Sequence, residues 1–79
     1  MSKLIKTYNK ERICNNLIHL RINDGYTQHQ LAFEIGIKRC TIASYEEQGR
    51  NVPSLENLIK YSNFFNVSID DIITKKLWH

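Results

Sequence analysis

The sequence predicts an all-α fold, a compact bundle of five short helices. Three observations lead to it. Apolar residues recur at helical spacing, and no segment shows the strict alternation of a half-buried strand. Three glycines and one proline divide the 79 residues into lengths that suit short helices. Thr27, Ser54 and Ser68 stand where N-caps belong, each just ahead of an apolar run.

The elements follow in order. Ile13, Leu17 and Leu20 fall at i, i+4 and i+7, the inward stripe of a first helix from about residue 9 to residue 23. Gly25 then supplies the left-handed residue that closes a helix. Thr27 caps a second helix whose buried face is Leu31, Ala32 and Ile35, and Gly36 ends it. A third helix spans about 38–48, with Ile42 and Tyr45 inward and Gly49 beyond. Pro53 and Ser54 mark the next start, with Leu55, Leu58 and Ile59 on one face, Phe65 continuing the stripe and Asn66 as the stop. Ser68 to Asp71 resembles a capping box with Asp in place of Glu or Gln, and opens a fifth helix carrying Ile69, Ile72 and Ile73. The expected organisation is a basic lead over 1–8, one domain over 9–74 and a tail over 75–79.

Composition narrows the function classes. At 42% hydrophobic residues, eleven of them Ile, the chain can bury one modest core but hardly a deep catalytic cleft. No paired carboxylates face a common cleft, and no Ser/His/Asp or Cys/His set is spaced for catalysis, so no enzyme is expected. Cys14 and Cys40 are too few for a disulfide framework or a four-ligand zinc site. His19, His29 and His79 show no ligand spacing with each other or with the cysteines, so neither metal nor cofactor is expected. No apolar run approaches the roughly 20 residues of a membrane span, and the first residues lack the pattern of a secretory signal. A soluble, reduced, cytoplasmic protein is the expectation.

The net charge of +3 is unevenly placed. Residues 1–50 hold eight basic and five acidic side chains, whereas 51–79 hold three of each. The excess is a weak pointer to a polyanionic partner.

The stretch from Thr27 to Tyr45, TQHQLAFEIGIKRCTIASY, is more telling. Two short helices flank a turn of about four residues at Gly36, where a positive φ lets the helices cross steeply. Ala32 permits close approach, and Ile37 can plug the space between them. At about 100° per residue, Ile42, Tyr45 and Glu46 share one side of the third helix; Cys40, Ala43, Ser44 and Glu47 share the other. Lys38 and Arg39 at its N-terminus oppose the helix dipole, a local misfit that a phosphate backbone would reverse.

These residues resemble the lambda-repressor/Cro-type helix-turn-helix (XRE) family of DNA-binding regulators. The resemblance rests on Leu20-Arg21, the stretch Gly25 to Gln28, Leu31-Ala32, Ile35-Gly36-Ile37, Thr41-Ile42, Tyr45-Glu46, the stretch Pro53 to Leu58, and the turn Asn66 to Asp71. It implies a lambda-repressor-like domain with the helix-turn-helix at helices two and three. It further implies that Gln28 contacts a phosphate and braces the recognition helix. Arg39, Cys40, Thr41 and Ser44 would face bases or nearby phosphates, with Lys38 flanking them at the helix start. Arg50 and Asn51 would touch backbone, and Arg21 and Glu46 would form a partly buried salt bridge.

Two departures from the family pattern stand out. Lys38 replaces the usual Ser or Thr cap. Six residues separate Glu46 from Pro53 where many members have five, which predicts a third helix longer by part of a turn. The function implied is sequence-specific binding of double-stranded DNA by a transcriptional repressor, a homodimer on a palindromic operator. The alternative is an antitoxin or other protein-interaction module on the same fold, its partner a toxin or an anti-repressor. Leu77 and Trp78, with Ile72 and Ile73, form an apolar edge that is the expected dimer contact, unless the tail folds onto its own domain.

Overall fold

The computed structural model describes residues 9–47 and 50–78. All five predicted helices occur in the predicted order, and no strand occurs among the described residues. The lead over 1–8, with Lys3, Lys6 and Tyr8, lies outside them, as do Gln48, Gly49 and His79.

Helix α1 (Lys10–Asn23) begins where Asn9 is extended and its carboxamide oxygen accepts from the Arg12 backbone N–H at 2.9 Å. Ile13 and Leu17 are fully buried, with Leu20 packed at the core's edge. The helix closes through Gly25 at φ 80°. The Gly25 N–H donates to Ile22 O at 2.9 Å and the Tyr26 N–H to Arg21 O at 3.1 Å, the bond pair of a Schellman motif.

Helices α2 (Gln28–Ile35) and α3 (Arg39–Tyr45) follow across a three-residue turn. Helix α4 (Leu55–Phe65) is capped by the Ser54 hydroxyl and stopped by Asn66, which takes the left-handed conformation at φ 57°. Helix α5 (Ile69–Thr74) is capped by Ser68, whose hydroxyl accepts from the Asp71 N–H at 3.0 Å. Helix α1 packs on α5, α2 on α3 and α4, and α4 on α5. The core they enclose is Ile13, Leu17, Leu31, Ile35, Ile37, Ile42, Tyr45, Leu58, Tyr61 and Ile72. Tyr26, Phe64, Phe65 and Tyr61 extend it as a chain of ring contacts with centroids 5.0–5.9 Å apart.

Two expectations need correction. Helix α3 ends at Tyr45 and does not run on to 48. The Glu46 N–H is shared between Ile42 O at 3.1 Å and Ala43 O at 3.2 Å, a tightened last turn. Glu46 is also anchored through its side chain, so the extra residue before Pro53 enters the connection to α4 and does not lengthen the helix.

In α4 the buried stripe is Leu58 and Tyr61 with Phe65, whereas Leu55 and Ile59 are exposed at 68% and 43%. With Leu58 at 0°, Tyr61 and Phe65 fall near −60° and −20°, but Leu55 and Ile59 near +60° and +100°. The aromatic rings bury more area than the aliphatic pair, and they decide which face turns inward.

The tail is tied to its own domain. Asn16 of α1 is fully buried, and every polar atom of its side chain is engaged. Its Nδ2 donates to Ile72 O and Lys75 O, both at 2.7 Å, and its Oδ1 accepts from the Leu77 N–H at 2.8 Å. Arg12 of α1 donates from Nη1 to Thr74 O at 3.1 Å. Trp78 lies half-buried beside Asn15, Ile18, His19 and Ile22 of α1, with the Lys76 ammonium 5.4 Å from its ring centroid.

Candidate nucleic-acid interface

The candidate site is α3 and what holds it. Helix α2 starts in a reciprocal capping box. Thr27 Oγ1 accepts from the Gln30 N–H at 3.0 Å, and Gln30 Oε1 accepts from the Thr27 N–H at 3.0 Å. It ends at Gly36, φ 78°, whose N–H closes on Ala32 O at 3.1 Å. Ile37 is buried between the two helices, as its position predicts. Lys60 of α4 donates from Nζ to Gly36 O at 3.0 Å and steadies the turn from outside.

Three contacts fix the inner face of α3. Ile42 is fully buried. The Tyr45 hydroxyl accepts from Asn57 Nδ2 of α4 at 2.7 Å. Glu46, just past the helix end, gathers the most: its Oε2 accepts from Arg21 Nε at 2.8 Å, and its Oε1 from Arg21 Nη2 and Gln28 Nε2, both at 2.9 Å. Arg21 also donates from Nη1 to Tyr26 O at 2.8 Å. The Arg21 and Glu46 side chains keep only 14% and 6% of their surface in solvent. Their fork-to-fork bonding holds the guanidinium above its ordinary pKa against the opposing effect of burial. One carboxylate thus joins α1, α2 and α3, as the expected Arg21–Glu46 bridge requires.

The bracing expected of Gln28 is present, through Glu46 and one of its two amide N–H groups. Lys38, Arg39 and Cys40 are exposed, while Thr41 and Ser44 are half-buried along the same helix. The Ser44 hydroxyl donates to Thr41 O at 3.0 Å, so toward a ligand it keeps its acceptor lone pairs. Lys38 is the N-cap residue and makes no side-chain cap bond. Arg50 and Asn51 lie beyond the far end of α3; Arg50 is paired with Glu47, and the backbone O of Asn51 accepts from Cys14 Sγ at 3.7 Å. Residues 38–44 thus follow one another along α3 and its N-cap, Gln28 is tied to the far end of that helix through Glu46, and Arg50 and Asn51 follow beyond it.

Sequence reasoning missed Gln30, Asn57 and Lys60. The Thr27–Gln30 spacing is itself a capping-box signal; Asn57 and Lys60 act across the fold and leave no local signal. Among the described residues, no three His, Cys, Asp or Glu side chains gather to hold a metal ion, and no helix is long and apolar enough to cross a membrane.

Two short helices at a tight turn, the second with its inner face locked and its outer face open, define a helix-turn-helix protein. A helix-turn-helix family model matches residues 17–72, and the chain belongs to this XRE-type family of transcriptional regulators. The chain is similar to the cryptic phage CTXphi transcriptional repressor RstR of Vibrio cholerae, 40% identical over 63 residues that make up 80% of this chain and 52% of that protein. The chain thus spans about half the length of that repressor. An uncharacterised regulator of the same type from Methanocaldococcus jannaschii is 40% identical over 58 residues, 73% of this chain and 86% of its own. The crystal structure of the restriction-modification controller protein C.AhdI from Aeromonas hydrophila superposes with a TM-score of 0.71 at 25% identity, covering 81% of this chain and 96% of that one. The family and fold read from the sequence are thereby established.

Proposed function

We propose that this chain binds double-stranded DNA sequence-specifically by seating α3 in the major groove, and that two copies occupy a palindromic operator and repress transcription by occluding it, in the cytoplasm. The observation that supports this reading is the division of α3 into two faces. Ile42, Tyr45 and Glu46 are consumed by the fold, whereas Arg39 and Cys40 are exposed, Thr41 and Ser44 are half-buried, and the Ser44 hydroxyl bonds within α3. The transcriptional roles in the names of its relatives point the same way.

In this reading Arg39 grips a guanine O6/N7 edge, and the short Cys40, Thr41 and Ser44 admit the helix close to the bases. Lys38, Arg50, Asn51 and the second amide N–H of Gln28 meet phosphates and set the register. Arg39→Ala is expected to cost about 1–3 kcal/mol of binding and to relax preference at one base position. Titration against a panel of single-base operator variants reads both effects, and uniform weakening across the panel would make Arg39 a phosphate anchor instead.

Lys38→Ser supplies the missing cap hydroxyl while removing a cation. Stability should rise by about 0.5–1 kcal/mol, and the salt slope of DNA binding should flatten by about 0.9. Thermal melts and salt titrations check the two separately.

The decisive experiment is selection of bound duplexes from a random pool. Enrichment of a short palindrome with half-sites about 10 bp apart is expected. Failure to retard any duplex would overturn the reading. It would favour the protein-interaction alternative, with a toxin or anti-repressor partner.

A further inference from the structure

The acidic residues around α3 are not equivalent. Glu46 is neutralised by Arg21 inside the fold. Glu47 is not: its N–H continues the tightened last turn of α3, donating to Ser44 O at 3.4 Å. Its side chain is 59% exposed, and its Oε1 accepts from Arg50 Nη1 at 2.8 Å. The Arg50 side chain is 68% exposed, and the Arg50 N–H donates to Glu47 O at 2.7 Å, so backbone and side chain both fold Arg50 back on Glu47. A carboxylate thus sits just past the C-terminus of α3, two residues beyond Tyr45. It occupies a cation otherwise free for a phosphate.

We propose that Glu47 is a specificity-determining residue that gates Arg50. The inference rests on the DNA-binding reading above. A carboxylate can only accept hydrogen bonds, and it repels phosphate. In the major groove the only base-edge donors are the N4 amino group of cytosine and the N6 amino group of adenine. Where a binding site presents one of these at the end of α3, Glu47 accepts from it and releases Arg50 to the neighbouring phosphate. Where the amino group of the pair lies on the far strand, out of its reach, Glu47 keeps Arg50 and adds its own repulsion. An exposed pair is held weakly enough for this exchange to proceed readily. Arg50 then counts toward affinity on the right sequence and is withheld on the wrong one.

Glu47→Gln keeps the shape and removes the charge at an exposed position, so the fold is not at stake. On a random duplex the variant frees Arg50, and the slope of log K against log salt should steepen by about 0.9. Affinity for that duplex at 0.1 M salt should rise about 2- to 5-fold. On the selected operator Arg50 already meets its phosphate, so the slope should not change and the ratio of specific to non-specific affinity should fall. In an Arg50→Gln background, Glu47→Gln should steepen the random-duplex slope by clearly less, since only the repulsion of Glu47 itself is removed.

An unchanged slope and affinity for Glu47→Gln on random DNA, while the native chain binds its operator, would overturn this inference alone. Steepening of the same size with and without Arg50 would overturn the gating as well. Absence of binding to any duplex by the native chain would remove the DNA-binding reading and this inference with it.

Discussion

Replacing Glu46 by alanine should lower the stability of the fold by about 3 kcal/mol, at the low end of the 3–5 kcal/mol typical for breaking a buried ion pair from one side. The cost is mostly not the lost attraction. Arg21 keeps only 14% of its side-chain surface in solvent and would be left with a single acceptor, Tyr26 O, for a full charge. Gln28 would lose its tie to α3 as well. Denaturant unfolding of the single variant and of an Arg21→Met/Glu46→Leu double variant separates the two contributions. The double variant should be markedly more stable than Glu46→Ala, because replacing both partners leaves no unpaired charge. If the two unfold at the same midpoint, the bridge does no more than fill space. If the DNA-binding reading holds, the double variant should still bind less tightly than the native chain, since α3 would have lost the carboxylate that orients it against α1 and α2.

Asn16→Ala should destabilise by about 2–4 kcal/mol, a large effect for a residue far in sequence from α3. The side chain makes three hydrogen bonds from a fully buried position, to Ile72 O, Lys75 O and the Leu77 N–H. Each is worth about 0.5–1.5 kcal/mol, and the buried partners that water cannot reach add a desolvation cost. Ile72 is itself fully buried, so its carbonyl is the one least able to find water. Hydrogen exchange should show the Leu77 amide losing its protection first, and thermal melting should give the total. A loss under about 0.5 kcal/mol would mean that water replaces the carboxamide and the tail is held by Trp78 alone. Asn16→Asp keeps the acceptor for Leu77 but turns an oxygen toward two carbonyls, and should be worse than Asn16→Ala.

The five helices were legible because their ends are written locally. Thr27, Ser54 and Ser68 cap as their positions predict, and Gly25, Gly36 and Asn66 take the left-handed conformation that stops a helix. The Arg21–Glu46 bridge and the plug residue Ile37 were legible through resemblance and spacing. Two things were not. Which way α4 turns depends on competition between its own aliphatic and aromatic residues, and counting apolar positions weighs Leu55 and Tyr61 equally. The length of α3 depends on Glu46 being held from α1 and α2, partners that lie 25 and 18 residues earlier in the chain. Asn16 is the extreme instance. In the sequence it is one polar residue in a helix, and its three partners lie 56 to 61 residues away.

The two-faced construction of α3 bears on how such a domain changes over generations. The anchors Ile42, Tyr45 and Glu46 hold the helix, and Arg39 and Cys40 are exposed, so substitutions at those two draw on little of the folding free energy. A lineage can therefore rewrite them in any order, through intermediates that all fold, and, if the DNA-binding reading holds, arrive at a different preferred sequence without first becoming more stable. Position 47 is tied to Arg50 rather than to the core, and it is open to the same drift. Glu46, one residue earlier, is not.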